Sequence, residues 1–211
     1  MIINNLGKMS YEQAYQVQLD TVAKVISGES EDTLIICSHD PVVTLGKKST
    51  IADIFGWTGE TVSIERGGKA TYHGPGQVVI YPIINLKNKG QNIAGFLQAM
   101  EDAMVDVLKE YGIEGAGNPN RGEPDYTGVW VGQKKIASIG VAVKRWVTYH
   151  GLAFNLEEDP MAFQGINPCG FSTDTMTSLQ KVLLEKTSEL ASRSDFESML
   201  SKILIQKFQE L

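Results

Sequence analysis

The 211-residue sequence predicts an α+β fold: a mixed, mainly antiparallel sheet flanked by helices, in one domain over residues 1–211. Three observations predict it. Strand-like runs cluster in hairpin-like groups, where a doubly wound parallel fold would alternate strands and helices regularly. Residues 128–156 hold three β-textured runs separated by short polar breaks. Two long amphipathic patterns, at 93–111 and 196–208, supply helices to cover a sheet. No repeat, linker or long charge run marks a boundary within the chain.

The chain is expected to open on a helix. Ser10 with Gln13 resembles a capping box, and Tyr15, Leu19, Val22 and Ile26 recur at helical spacing until Gly28. TLIICSH at 33–39 has the texture of a buried strand, followed by the turn-prone Asp40-Pro41 and a second strand run, VSIE, at 62–65. A glycine-rich loop over 66–76 then leads into QVVIYPIINL at 77–86, a long buried strand. Ile93, Phe96, Leu97, Met100, Met104, Val107, Leu108 and Tyr111 share one helix face, with Gly112 as the stop. GVWV, KIASIGVAV and VTYHGLAFNL form a three-stranded meander with breaks at Gly132-Gln133 and Lys144-Arg145. Capping boxes at Thr177 with Gln180 and at Ser194 with Glu197 open two closing helices.

Composition narrows the function classes. With 42% hydrophobic and 21% charged residues the chain resembles ordinary globular proteins, which excludes disorder as the main state. Nineteen basic against 25 acidic residues give a net charge of -6, so no chain-wide field exists to hold a phosphate backbone, and nucleic acid is not expected as a partner. Neither a signal-type amino terminus nor an apolar run of membrane length is present, so the expected location is the cytoplasm, without membrane contact. Two cysteines, Cys37 and Cys169, make no disulfide framework and no C-x-x-C pair.

Cys169 sits in Asn167-Pro168-Cys169-Gly170, where proline fixes φ and glycine frees it. Such a turn either aims a thiol into a cleft or is simply a turn. Cys37 lies in an apolar run and is most simply a small buried hydrophobe. A reactive thiol needs a base or cation beside it, because the thiolate is the nucleophile. The candidates are His39, His73, His150, Lys134 and Lys135, with Lys135 equally readable as a strand-edge lysine. The loop around His73 lacks phosphate-loop spacing, and no pair of histidines has the spacing of a preformed metal site.

Taken together, RGGKATYHGPGQVVIYPIINL at 66–86, GVWVGQKKIASIGVAVKRWVTYHGLAFNL at 128–156 and FQGINPCG at 163–170 closely resemble the lipoyl(octanoyl) transferases. HDPVVTLGK at 39–47 and TSL at 177–179 extend the resemblance over most of the chain. It implies the α/β catalytic domain of the biotin and lipoate protein ligases. It also implies an acyltransferase that moves octanoyl from octanoyl-acyl carrier protein to a lysine of lipoyl domains, in the E2 subunits of 2-oxoacid dehydrogenases and in the glycine cleavage H protein. No cofactor or metal is implied. Cys169 corresponds to the acylated nucleophile and Lys135 to the lysine that favours its thiolate. The acyl site would be lined by Arg66, Gly67, Gly68, Lys69, Ala70, Thr71, Tyr72 and His73, by Ser138, Ile139 and Gly140, and by Gly151, Leu152 and Ala153. Lys69 stands where that family frequently has glutamine, and Tyr149 where it commonly has methionine. The competing readings are an ATP-dependent lipoate or biotin ligase, a non-catalytic acyl-binding module and a cysteine hydrolase. Adjacent basic pairs, Lys47-Lys48 and Lys144-Arg145, are candidates for docking acidic protein substrates.

Overall fold

The computed structural model describes residues 1–121, 123–186 and 188–211. Its strands are β1 Ile2–Met9, β2 Thr33–His39, β3 Val42–Leu45, β4 Glu60–Ser63, β5 Ala70–His73, β6 Gln77–Ile83, β7 Gly128–Val131, β8 Lys134–Lys144 and β9 Val147–Asn155. The α-helices are α1 Tyr11–Ser27, α2 Ile93–Glu110, α3 Leu179–Glu185 and α4 Arg193–Gln209. A six-stranded sheet runs β1-β2-β6-β9-β8-β7, and a three-stranded sheet runs β4-β3-β5. Among the described strands, β1–β2 and β3–β4 pair in parallel and the other strand pairs are antiparallel, as the hairpin-like clustering of strand runs predicts.

Period-two alternation explains how the large sheet buries both faces. Leu34 and Ile36 of β2 and Val78 and Ile80 of β6 point toward α2 and α4, where they meet Phe96, Met100, Phe196 and Leu204. Ile35 and Cys37 of β2, with Val79 and Tyr81 of β6, point to the opposite face and pack on Tyr11, Ala14 and Val22 of α1. The helix patterns at 11–27 and 93–110 and the 128–156 meander lie where the sequence puts them, with Ser10 capping α1 through Gln13 N.

The structure departs from the sequence expectations at several points, among them the strand expected over 77–86, which ends at Ile83. The chain opens on β1 rather than on a helix: IINNLGKM does not alternate, and as a mostly exposed edge strand it takes its conformation from pairing with β2. β3 follows Asp40-Pro41 directly and is too short to stand out. The next strand covers Glu60–Ser63, not 62–65. Ala70–His73 is a strand within the glycine-rich run, because β3 supplies hydrogen bonds that local composition does not advertise. The closing helices are capped by Ser178, through Lys181 N, and by Ser192, through Asp195 N. Neighbouring hydroxyls in each stretch compete for the cap, and the fold selects one.

Phe208 of α4 is fully buried and stacks on Phe96 of α2 with centroids 5.0 Å apart. Phe208→Ala should cost about 3–5 kcal/mol of unfolding free energy, the range for emptying a packed aromatic site. Urea denaturation measures it; a loss below about 1 kcal/mol would show that α4 is not integral to this core.

Candidate active site

A cleft lies on the α1 side of the large sheet, roofed by the small sheet, and encloses about 530 Å³ of space that is partly open to solvent. Cys169 is one of its walls. The thiol is half-buried, and its Sγ lies 3.9 Å from Ser138 Oγ. Cys169 itself holds a left-handed backbone, φ 54°, within the one-turn segment Pro168–Gly170. A non-glycine residue in this region costs on the order of 1–2 kcal/mol. The turn is held from outside: Asn167 donates its backbone N–H to Asp53 O and its side-chain amide to Ala52 O, and Gly165 O accepts from Phe55, Gly56 and Trp57. His150, with φ 55°, is a second non-glycine left-handed residue on the same cleft.

The small sheet shows its alternation here. Thr71 and His73 of β5 face the cleft, while Ala70 and Tyr72 face away and pack with Phe163 and Ile166. Of the expected acyl-site residues, Arg66, Gly67, Gly68, Lys69, Thr71, His73, Ser138, Ile139, Gly140, Gly151, Leu152 and Ala153 all line the cleft with Cys169. Ala70 and Tyr72 do not, because they occupy the other face of β5. Tyr11, Tyr81, Pro124, Asp125 and Thr127 line it as well. Tyr81 had a sequence signal, a polar tip in an otherwise apolar strand; Asp125 had none.

Lys135 is fully buried behind this wall. Between β7 and β8 the register slips, leaving Ile136 as an extra residue. Ile136 and Ala137 both enter the α2/α4 core, so Lys135 and Ser138 share the opposite face. Gly128, at φ +138°, leaves room for the lysine stem: a Cβ there would stand 2.9 Å from Lys135 Cε. The Lys135 Nζ donates to Asp125 O at 2.9 Å and sits 5.4 Å and 5.5 Å from the ring centres of Trp130 and Phe171. Phe171 follows Cys169 by two residues, so one of the two rings flanking the ammonium belongs to the chain just after the thiol.

Two further cations stand in the cleft wall. Arg66 is buried, donating to Gly67 O, Thr44 O and Thr44 Oγ1, and no carboxylate of the described residues pairs with it. Burial pushes its proton affinity down; the strongest opposing influence is Cys169. Lys69 pairs with Asp125 at 3.2 Å, and its stem crosses Gly170, where a Cβ would lie 2.6 Å from Nζ. Asp125 is the one carboxylate among the described cleft-lining residues. The wall therefore carries net positive charge, and Arg66 Nε, His73 Nδ1, His150 Nε2 and Asp125 Oδ1 are buried there without hydrogen-bond partners.

None of the three histidines is placed as a charged partner for the thiol. Desolvation pushes His39 and His73 below the ordinary range, and His150 falls to about 4, from burial first and the Arg66 charge second. His39 lies outside the cleft, its Nδ1 donating to Met9 O and its Nε2 accepting from Tyr81. Cys37 is buried, and desolvation pushes its thiol far up, away from ionisation. Lys134 lies on the exposed side of β8 and donates to Asp174 O. Among the described residues, no group of three potential ligands could hold a metal ion, and no helix is long and apolar enough to cross a membrane.

The family model for the lipoyl protein ligase A/B catalytic domain matches residues 10–201. An octanoyltransferase of Bdellovibrio bacteriovorus is 42% identical over 98% of both chains, and one of Geobacter metallireducens is 39% identical over 87% of this chain and 84% of its own. Among solved structures, a T. acidophilum protein with bound lipoic acid superposes with a TM-score of 0.73 at 14% identity, covering 98% of this chain and 84% of that one. Biotin protein ligase from Aquifex aeolicus gives 0.59 at 11% identity, over 100% and 70%. The fold class expected from the sequence is thus the one these ligases share.

The buried histidines set an acid dependence. An unfolded histidine titrates near 6.5 and folded His150 near 4, so between these values the unfolded chain binds more protons. Stability is full above about pH 6.5 and should fall as pH is lowered toward about 4. Unfolding midpoints across that range should show a shallower decline in His150→Gln; an identical slope would mean that His150 does not carry the linkage.

Proposed function

Because the chain belongs to the lipoyl protein ligase A/B catalytic-domain family, we infer that it is an octanoyltransferase, and we propose that it works through a thioester on Cys169. The donor in this reading is octanoyl-acyl carrier protein. The acceptor is a lysine of a lipoyl domain, in E2 subunits of 2-oxoacid dehydrogenases or the glycine cleavage H protein. The observation that carries it is a thiol in an externally held left-handed turn, facing a cleft whose wall is net positive.

The chemistry closes without nucleotide or cofactor. The Cys169 thiolate attacks the donor's carbonyl carbon, the new C–S bond forms, and the carrier leaves as a thiolate that takes up a proton. One thioester replaces another at little net cost. The acceptor's neutral amine then attacks the Cys169 thioester, forming an amide and returning the thiolate, with the amine's proton passing to a base. An amide is more stable than a thioester, so the second step drives the sequence. Lys135 acts on the thiol by its charge, since a nearby desolvated cation favours the anionic form. Lys135 gives its proton to the departing carrier thiolate, and the neutral lysine so formed is the base that takes the proton of the incoming amine. Arg66 and Lys69 face the space where the carbonyl oxygen becomes negative. Ile139, Leu152 and Ala153 offer the apolar wall for the acyl chain. The whole of residues 1–211 serves as one catalytic domain in this reading, working in the cytoplasm, where free thiols stay reduced.

The 42% identity over 98% of the chain to an octanoyltransferase, against 14% and 11% to the solved T. acidophilum and biotin ligase structures, favours this reading over an ATP-dependent ligase. Octanoyl transfer from carrier protein to lipoyl domain should proceed without ATP, vanish in Cys169→Ala, persist in Cys37→Ala and fall at least about 100-fold in Lys135→Met. Free octanoate as the product, or a requirement for ATP, would replace this reading with a hydrolase or a ligase.

The basic pairs differ in placement. Lys47 and Lys48 are exposed, and their backbone N–H groups donate to Arg66 O and Gly68 O, at the cleft rim. Lys144 and Arg145 sit at the β8–β9 turn, beyond the cleft-lining part of that hairpin. Reversing Lys47 and Lys48 to glutamate should lower kcat/KM for protein substrates about tenfold at low salt, with the loss shrinking as salt rises and a small octanoyl thioester spared. An equal loss with the small thioester would mean that the pair shapes the cleft instead.

A further inference from the structure

We propose that Asp125 is a positioning residue for Lys135, and that the Lys69–Asp125 ion pair holds it in place. The inference rests on the reading of Lys135 as the cation that serves Cys169.

Asp125 uses two different groups on two lysines. Its backbone carbonyl accepts from Lys135 Nζ at 2.9 Å, and its carboxylate pairs with Lys69 Nζ at 3.2 Å. The two lysines come from distant elements, Lys69 from the loop entering β5 of the small sheet and Lys135 from β8 of the large one. Asp125 belongs to the one-turn segment Pro124–Tyr126, whose own backbone bonds, Tyr126 N to Glu123 O and Thr127 N to Pro124 O, are local and fix nothing relative to the sheets. The ties outward are the two lysines, the Trp130 indole N–H on Tyr126 O, and the Tyr126 ring against Trp130 and Phe171. The same two rings flank the Lys135 ammonium. The segment is thus a cap over Lys135, clamped on its cleft side by Lys69.

The clamp matters because the carboxylate is partly desolvated. Asp125 Oδ1 is buried with no partner, so Lys69 is the charge that compensates it. Removing that charge leaves a half-buried carboxylate unpaired, a state that is relieved by moving the segment toward water. The carbonyl that holds Lys135 would move with it.

Direct electrostatics and positioning predict opposite signs, which makes the inference testable. Around the thiol stand Arg66, Lys69 and Asp125 in the cleft wall, Lys135 behind it, neutral His73 and His150, and Tyr11 and Tyr81. Asp125→Asn deletes the cleft's negative charge, so acting directly it would make Cys169 easier to ionise. Acting through Lys135, it removes the ion pair that ties the segment to Lys69, loosens the carbonyl from Lys135 Nζ and so makes ionisation harder. The experiment is iodoacetamide alkylation of Cys169 against pH, in a Cys37→Ala background, for the parent, Asp125→Asn, Lys135→Met and the double variant. The midpoint should rise in Asp125→Asn, with alkylation at neutral pH slowed about threefold or more. In the Lys135→Met background the same substitution should leave the midpoint unchanged or lower it. A fall or no change while Lys135 is present overturns the inference. If Lys135→Met alone leaves the profile unaltered, the reading of Lys135 fails and the inference falls with it. Should Asp125→Asn not fold, Lys69→Gln gives the second test: its rise should be larger with Lys135 present than absent, and equal rises would overturn the proposal.

Discussion

The site depends on burying positive charge where no carboxylate fully balances it. Arg66 and Lys135 both lie out of solvent, and each is held by backbone carbonyls: Arg66 by Gly67 and Thr44, Lys135 by Asp125. Carbonyl dipoles and aromatic faces stabilise a buried cation without cancelling its charge. With Lys69 added and Asp125 as the one opposing carboxylate of the described cleft lining, the cleft that holds Cys169 has a net positive wall. In the proposed reaction, a thiolate and then an oxyanion on the acylated carbon are the anions that would form there.

The architecture exists to converge these groups from distant parts of the chain. The small sheet carries Arg66, Lys69 and His73 at or before β5, the large sheet carries Lys135, Ser138 and Gly151, and the 163–170 segment carries the thiol. Two local irregularities complete it. The slip at Ile136 lets Lys135 share a face with Ser138, and the left-handed backbone at Cys169 presents the sulfur to that face. The strain at Cys169 is sustained because Asn167 and Gly165 are bonded to the 52–57 segment, which the small sheet itself positions.

Much of this was legible in the sequence, in proportion to the strength of the local pattern. The 93–110 helix and the 128–156 meander have periodicities that tertiary contacts only confirm. β1, β3 and β5 have none: each is short, exposed or glycine-flanked, and exists because a partner strand supplies hydrogen bonds. Most of the expected acyl-site residues share the cleft because their motifs are contiguous. Ala70 and Tyr72 face away for the same reason that Thr71 and His73 face in, a strand period invisible while the segment is taken for a loop. Asp125 could not be found by spacing, since its two lysine partners lie on a loop before β5 and on β8 and meet only in the fold.

The proposed reaction turns on a covalent acyl intermediate on one particular sulfur, formed without nucleotide. The direct measurement is the intact mass of the protein after incubation with octanoyl-acyl carrier protein alone, followed by peptide mapping. The account predicts a gain of a single octanoyl group, mapped to Cys169 and released by added thiol. An unmodified mass, or an adduct on Cys37, would contradict it.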